Sequence, residues 1–213
     1  MNKIYKNKYP LKGFTLLELL VVIVIIMFLA GITIPIVSSI QTNAKKGVTS
    51  AQISQLELAL KQFESDFGFF PPDSYTASDT AITVGGIAIP QDEDLSAGTN
   101  SKSRCLVFFL GSKFTFNPGL SNEETYGPYI EFKRSQLVDT GANFTDTDTG
   151  ITIEGVNGGI KVYEYKDPFG SYYSYNSSPP PDLNNTASFD IYSFGPDKND
   201  DSGTSTSDDI TNW

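Results

Sequence analysis

The chain has 213 residues and a net charge of −10, and the charge is unevenly placed: residues 1–13 carry Lys3, Lys6, Lys8 and Lys12 and no acid, which leaves 11 basic against 25 acidic residues beyond them. So acidic a body excludes a nucleic-acid surface as its main role. The sequence holds no histidine, which removes His-based triads, His metal sites and His acid–base catalysis, and its single cysteine, Cys105, excludes an internal disulfide.

Residues 12–37 read KGFTLLELLVVIVIIMFLAGITIPIV, and from 19 to 37 there is no charge. That is membrane-spanning length. Glu18 sits just inside the apolar stretch. A carboxylate at that depth costs on the order of 3 kcal/mol, and such groups are usually functional and paired. A basic start ahead of an apolar span places the start in the cytoplasm and the body outside. A secretory signal peptide shares the basic start, but its apolar core is about 7–15 residues, shorter than this one. A plain transmembrane anchor accounts for the length and the lysines and leaves Glu18 unexplained.

Lys12-Gly13-Phe14-Thr15-Leu16-Leu17-Glu18 resembles the class III signal of type IV pilins and pseudopilins. The resemblance implies that prepilin peptidase cuts after Gly13, that Phe14 becomes N-methylated, and that Glu18 is needed for assembly. Pro35 falls where many members of that family have a helix-bending proline. Cleavage at Gly13 would release a positive amine at Phe14, one helical turn from Glu18, so a same-chain contact is open. The family's usual picture pairs the acid with the amine of a neighbouring subunit. Either pairing offsets the cost of burying the carboxylate. In a filament it would set the axial register.

Helical spacing continues past the membrane. Ile40, Ala44, Val48, Ala51, Leu56, Ala59 or Leu60, Phe63 and Phe67 form an apolar stripe, with Gln41, Lys45, Lys46, Gln52, Gln55, Lys61 and Gln62 opposite. The first half of this stripe is expected to pack on other subunits and the second on its own head, although an ordinary amphipathic core helix gives the same pattern. A helix from Phe14 to Phe67 would be about 80 Å long. Pro71-Pro72 is expected to end it, and Gly31, Pro35 and Gly47 are expected sites of a bend or local melting. Residues 56–71 resemble the same region of the major pseudopilin of type II secretion.

Residues 73–100 read as a surface loop with a short hairpin at 81–89. Residues 103–111 read as a short apolar helix or a buried strand, with Cys105 a small buried hydrophobe in the run Cys105-Leu106-Val107-Phe108-Phe109-Leu110. Short β-type runs follow at 129–133, 151–154, 160–165, 172–175 and 189–194. A long helix followed by strands predicts an α+β class: an antiparallel sheet packed on the helix, the pilin-like arrangement. The expected organisation is a leader (1–13), a transmembrane and assembly helix (14–37), its amphipathic continuation (38–70) and a globular head (71–213). The head would carry an insertion at about 73–160 and a calcium-type loop at 194–213.

The chain ends with Asp197, Asn199 and Asp201 at alternate positions, then Gly203 and the pair Asp208-Asp209. The spacing is like that of an EF-hand loop, departing from it at Ser202 and Asp208. Clustered hard oxygens suit Ca²⁺ better than a transition metal. Asp167-Pro168-Phe169-Gly170, residues 189–197 and the ending Asp208-Asp209-Ile210-Thr211-Asn212-Trp213 resemble the turn, last strand and calcium loop of the major pseudopilin. The resemblance implies Asp197 and Asp209 as Ca²⁺ ligands, with Asp208 close behind, the Phe194 carbonyl as a contributor, and Asn199 and Asp201 as further candidates. A solvated acidic tail is the plainer reading. Against it, Trp213 suggests a tail folded onto the head, and seven Asp from Asp182 to Asp209 face one Lys.

By resemblance the chain is a structural subunit of a type II secretion pseudopilus, polymerising through its N-terminal helix to drive export across the outer membrane. The implied partners are other copies of itself, minor pseudopilins, prepilin peptidase, the inner-membrane assembly platform and membrane lipid. The implied site is the bacterial inner membrane, single-pass, with the head in the periplasm. The alternative is a type IV pilin for adhesion, motility or DNA uptake; many of these carry a C-terminal disulfide loop that one cysteine cannot make. A membrane-anchored calcium-dependent binding protein would not need Glu18. An enzyme finds little footing: no phosphate loop or dinucleotide glycine pattern follows a strand, which leaves only metal-assisted hydrolysis at the terminal Asp cluster.

Overall fold

The structure, a computed structural model, describes residues 13–98, 100–145, 147–148, 150–177, 184–185, 188–201 and 207–213. Lys3, Lys6, Lys8, Lys12, Asp182, Ser202 and Gly203, singled out above, lie outside the described residues. The chain divides into two compact units, Met1–Asn43 and Ala44–Trp213.

The first described element, α1 (Leu16–Phe67), is an α-helix of 52 residues. Its first part is long and apolar enough to cross a membrane, and none of that window is buried by the rest of the chain. The helix carries through Gly31, Pro35 and Gly47; local melting does not occur at any of them. A lone proline gives up a backbone hydrogen bond and a lone glycine costs about 1 kcal/mol in backbone entropy, and the long flanking helix holds the register.

Within the second unit, α1 buries Thr49, Ile53, Leu56, Ala59, Leu60 and Phe63. Ile40, Ala44, Val48 and Ala51, on the predicted stripe, are exposed. The second half of the stripe thus packs on the head, and the first half is left uncovered by the chain itself. One residue assigned to the polar face is an exception: Gln52 hydrogen-bonds Gln136 at 2.7 Å and the Tyr165 hydroxyl at 3.0 Å, and accepts from the Tyr173 hydroxyl at 2.7 Å. The helix ends at Gly68, not at Pro71-Pro72. Gly68 takes φ +82° and its N–H donates to the Glu64 carbonyl at 2.7 Å. A residue without a Cβ enters the left-handed region at little cost and closes the last turn.

The 73–100 segment is more than a surface loop. A hairpin joins β1 (Thr83–Val84) to β2 (Ile87–Ala88) within the predicted 81–89. Gly85 and Gly86 at its tip both have positive φ, as a two-residue type I′ turn requires. Tyr75, Ile82, Ile89 and Leu95 are buried, the last on the short helix α2 (Glu93–Ser96). The Tyr75 hydroxyl donates to the Ile89 carbonyl at 2.7 Å and accepts from the Ile82 N–H at 3.0 Å. One aromatic thus satisfies two backbone groups that burial would otherwise strand.

Residues 103–111 resolve as helix, α3 (Ser101–Gly111). Cys105 through Leu110 are all buried, as befits a helix apolar on every side. Burial pushes the Cys105 thiol up to about 12, so it is an inert core group.

Among the described residues the expected antiparallel sheet is divided into four small ones. Beside the β1–β2 hairpin, β3 (Lys113–Phe116), β4 (Glu124–Tyr126), β6 (Thr147–Asp148) and β7 (Ile151–Glu154) form a sheet of order β4-β3-β7-β6. A long pair joins β5 (Leu137–Asn143) to β8 (Lys161–Tyr165). The last sheet has β10 (Asp190–Ser193) between β9 (Ser174–Asn176) and β11 (Ile210–Thr211). Gly, Pro or Asn lies in or next to most of these strands and keeps them short, so the chain changes sheets often. The run at 129–133, read as a strand, pairs with none among the described residues. Tyr172 makes only an isolated bridge to Lys166.

Residues 73–160, expected as an insertion, pack with the rest of the head. β5 pairs β8, and Phe63 of α1 meets Phe109 of α3 edge-on at 5.8 Å and Tyr129 at 5.5 Å. Arg104 of α3 reaches Glu164 of β8 at 2.8 Å, an ion pair largely withdrawn from solvent. The core cluster draws residues from before, within and after this stretch.

Candidate functional site

At the amino-terminal end, Gly13 and Phe14 precede α1, and the Phe14 ring is exposed. Glu18 lies in the first turn. Its carboxylate accepts from the Thr15 N–H at 2.8 Å and from the Thr15 hydroxyl at 2.9 Å, while the Glu18 N–H donates back to Thr15 Oγ1 at 3.2 Å. This is a capping box, Ser/Thr-x-x-Glu, closed within one chain. Thr15 is the partner of Glu18 that the sequence did not single out; the spacing of Thr15 and Glu18 was the available signal. Beyond the box, Leu16 to Leu29 present exposed apolar side chains around the helix. Pro35 lies within the helical backbone of α1.

The carboxyl-terminal arm returns to the head as anticipated from Trp213. Trp213 meets Tyr192 edge-on at 5.6 Å. Asn212 accepts from the Ile191 N–H at 2.9 Å and donates to the Phe189 carbonyl at 3.1 Å, which ties the ending to β10. The Asp167 turn meets the same strand from the other side. Asp167 Oδ1 accepts from the N–H groups of Phe169, Gly170 and Ser171 at 2.7 to 2.9 Å, and Oδ2 accepts from the Ser193 hydroxyl at 2.5 Å. Lys45 of α1 stands over the Phe169 ring at 5.6 Å. Asp167 and Asn212 are thus the framework of the arm.

The predicted ligands are only partly brought together. Asp197 accepts from the Asn199 N–H at 2.8 Å and from its side-chain amide at 3.0 Å, which holds the Asp197 carboxyl below its ordinary range. Asn199 therefore acts as a donor to Asp197. Asp208 Oδ1 is buried and meets no hydrogen-bond partner among the described residues. Burial, then the nearby charge of Asp197, pushes the Asp208 carboxyl up, and Lys46 pulls it the other way. Asp209 Oδ1 is likewise shielded from solvent, and the Asp209 N–H donates to Ser207 at 3.2 Å. The Phe194 ring tilts on Tyr192 at 5.8 Å. Asp200 accepts from the Tyr192 hydroxyl at 3.2 Å, and Asp201 is exposed. Among the described residues no group of three or more Asp, Glu or Cys is already arranged as a metal cage. Asp197 and Asp208 do adjoin, and a shielded carboxylate oxygen without a donor is the kind of group a hard cation satisfies.

Residues 12–34 match the family model described as the prokaryotic N-terminal methylation motif. No curated protein and no solved structure matches the chain. The matched motif marks a type IV pilin-like prepilin N-terminus, and with the long exposed apolar helix it fits a membrane-anchored, pilin-like protein. It implies processing by prepilin peptidase and polymerisation of pilin-like subunits, and so points to a structural subunit rather than an enzyme.

Proposed function

We propose that the chain is a structural subunit of a type II secretion pseudopilus, polymerising through α1 to help drive protein export across the outer membrane. The observation that carries the reading is Glu18, a carboxylate held by Thr15 at the start of an exposed apolar helix within the matched motif. Such a helix lowers its free energy by bundling with its like, and the acid's charge is offset when it meets the amine of a processed Phe14. Partners on this reading are other copies of the chain, minor pseudopilins, prepilin peptidase and the inner-membrane assembly platform, with the head in the periplasm.

The carboxyl-terminal arm supports a pseudopilus over a type IV pilus. The Asp167 turn, β10 and the returning Asn212-Trp213 frame a loop rich in carboxylates, where many type IV pilins have a disulfide. On this reading Asp197, Asp208 and Asp209, with the Phe194 carbonyl, hold Ca²⁺; Asn199 and Asp201 complete the candidate set. The cation supplies charge neutralisation for a loop that burial and mutual repulsion disfavour.

Deletion of the gene tests the reading. It should abolish export of folded proteins and leave twitching motility intact. The reverse outcome identifies a type IV pilus subunit, the reading that the missing disulfide argues against.

A further inference from the structure

Residues 130–133 read as a strand, with Ile130 and Phe132 alternating with exposed Glu131 and Lys133, yet they join no sheet. The backbone is extended, with Lys133 at φ −66° and ψ 112°. On one flank the N–H groups of Tyr129 and Ile130 both donate to the Leu110 carbonyl at 2.8 and 3.2 Å, and on the other the Lys133 carbonyl accepts from Gln136 at 2.9 Å. Between them, the N–H groups of Glu131, Phe132 and Lys133 meet no acceptor among the described residues. Beside them opens a cleft of about 570 Å³, with Glu154 to Gly158 among the residues that line it.

The cleft is also the basic part of an acidic head. Lys113, Lys133 and Arg134 line it against Glu131 and Glu154. Lys133 makes no ion pair among the described residues, Arg134 donates to the neutral Asn157 side chain at 3.0 Å, and Lys113 stands 3.9 Å from Glu154 with both side chains about half exposed. That last pair is worth little in water. The lining keeps one net positive charge, and Lys133 and Arg134, outside any ion pair among the described residues, are available to an outside partner.

We propose that residues 130–133 form a docking edge for a second copy of the chain, which adds the acidic outer strand of its own four-stranded sheet. That strand, β4, is terminal in its sheet, and Glu124 within it and Glu123 before it are exposed, each accepting one hydrogen bond, from the Tyr126 hydroxyl and the Gly119 N–H. An open edge with unpaired backbone groups is a template for strand addition, with flanking charges choosing the partner. The contact uses different surfaces on the two copies, so it repeats in one direction, as a filament requires. It rests on the filament reading above: heads gathered by polymerised α1 helices meet at high effective concentration, where a small contact suffices.

The test uses full-length chains in assembling cells. One tagged copy carries Ser135→Cys, at an exposed position next to the edge, a differently tagged copy carries Thr125→Cys, and a short bismaleimide joins them; Cys105 is buried and silent. The expected result is a cross-linked heterodimer whose yield falls about fivefold or more when Arg134→Glu is added to the first copy. Glu131→Pro, which removes one unpaired N–H without touching Lys133 or Arg134, should reduce it as well. The two failures separate. Absence of filaments from the unsubstituted chain overturns the filament reading and this contact with it. Filaments without heterodimer overturn the contact alone and make 130–133 an edge that Lys133 guards against pairing.

Discussion

Gly195 and Asp208 are in such close contact that a Cβ on Gly195 would lie 2.3 Å from the Asp208 carbonyl oxygen and 3.1 Å from its Oδ1. Gly195 also has φ +67°. The two constraints act together where the chain leaves β10 and where its last segment comes back. Gly195→Ala should therefore open the arm at a cost of about 1–3 kcal/mol from backbone strain alone. Thermal unfolding of the variant and the emission of Trp213, the chain's one tryptophan, report it. An unchanged emission would mean that the arm closes without this contact.

Calcium should stabilise the same arm. Excess Ca²⁺ should raise the melting temperature, with about 2.7 kcal/mol gained at a hundredfold excess over the dissociation constant. Asp208→Asn and Asp197→Asn should each lose most of that response. If EDTA leaves both melting temperature and protease resistance unchanged, the calcium reading is wrong.

Thr15 should matter to assembly through Glu18. Thr15→Val removes the hydroxyl and opens the capping box, which costs about 1 kcal/mol in a helix start, whereas Thr15→Ser keeps it. Filament yield should fall for Thr15→Val and hold for Thr15→Ser. Glu18→Ala should be processed and fail to polymerise, and normal filament levels from it would count against the assembly role.

The turn that begins the head should loosen in acid. Asp79 accepts from the Thr76 N–H at 2.6 Å and from the hydroxyls of Thr76 and Ser74 at 3.0 and 3.2 Å, and the first of these chiefly holds its carboxyl below the ordinary 3.8. Because the folded value lies below the unfolded one, this stability is fully present above the unfolded value. It is lost as pH falls through the folded value. Amide exchange at Thr76, corrected for intrinsic rates, should rise as pH drops below about 4 in the native chain and be insensitive there in Asp79→Asn.

Much of this architecture was legible because it follows from strong local patterns. The apolar period of α1 and the Gly-Gly hairpin each rest on neighbouring residues, and Ile151–Glu154 emerges as β7 with the predicted limits. What escaped depends on partners distant in the chain. β5 contains Asp139, Gly141 and Asn143, poor strand formers held by pairing with β8. Residues 129–133 have good strand composition and no neighbouring strand, so propensity alone misleads. At the site, Glu18 stood out as a charge in an apolar run, while Thr15 looked ordinary until its hydroxyl was seen on Glu18. Asp197 and Asp208 were legible as acids near a turn; that Asn199 donates to Asp197 required the folded backbone.

Mass spectrometry of the native amino terminus tests the central claim most directly. A processed subunit begins at Phe14 and carries one added methyl group on its amine. A polypeptide that begins at Met1 in cells with an active prepilin peptidase would contradict the subunit reading, since Glu18 would then have no Phe14 amine to meet.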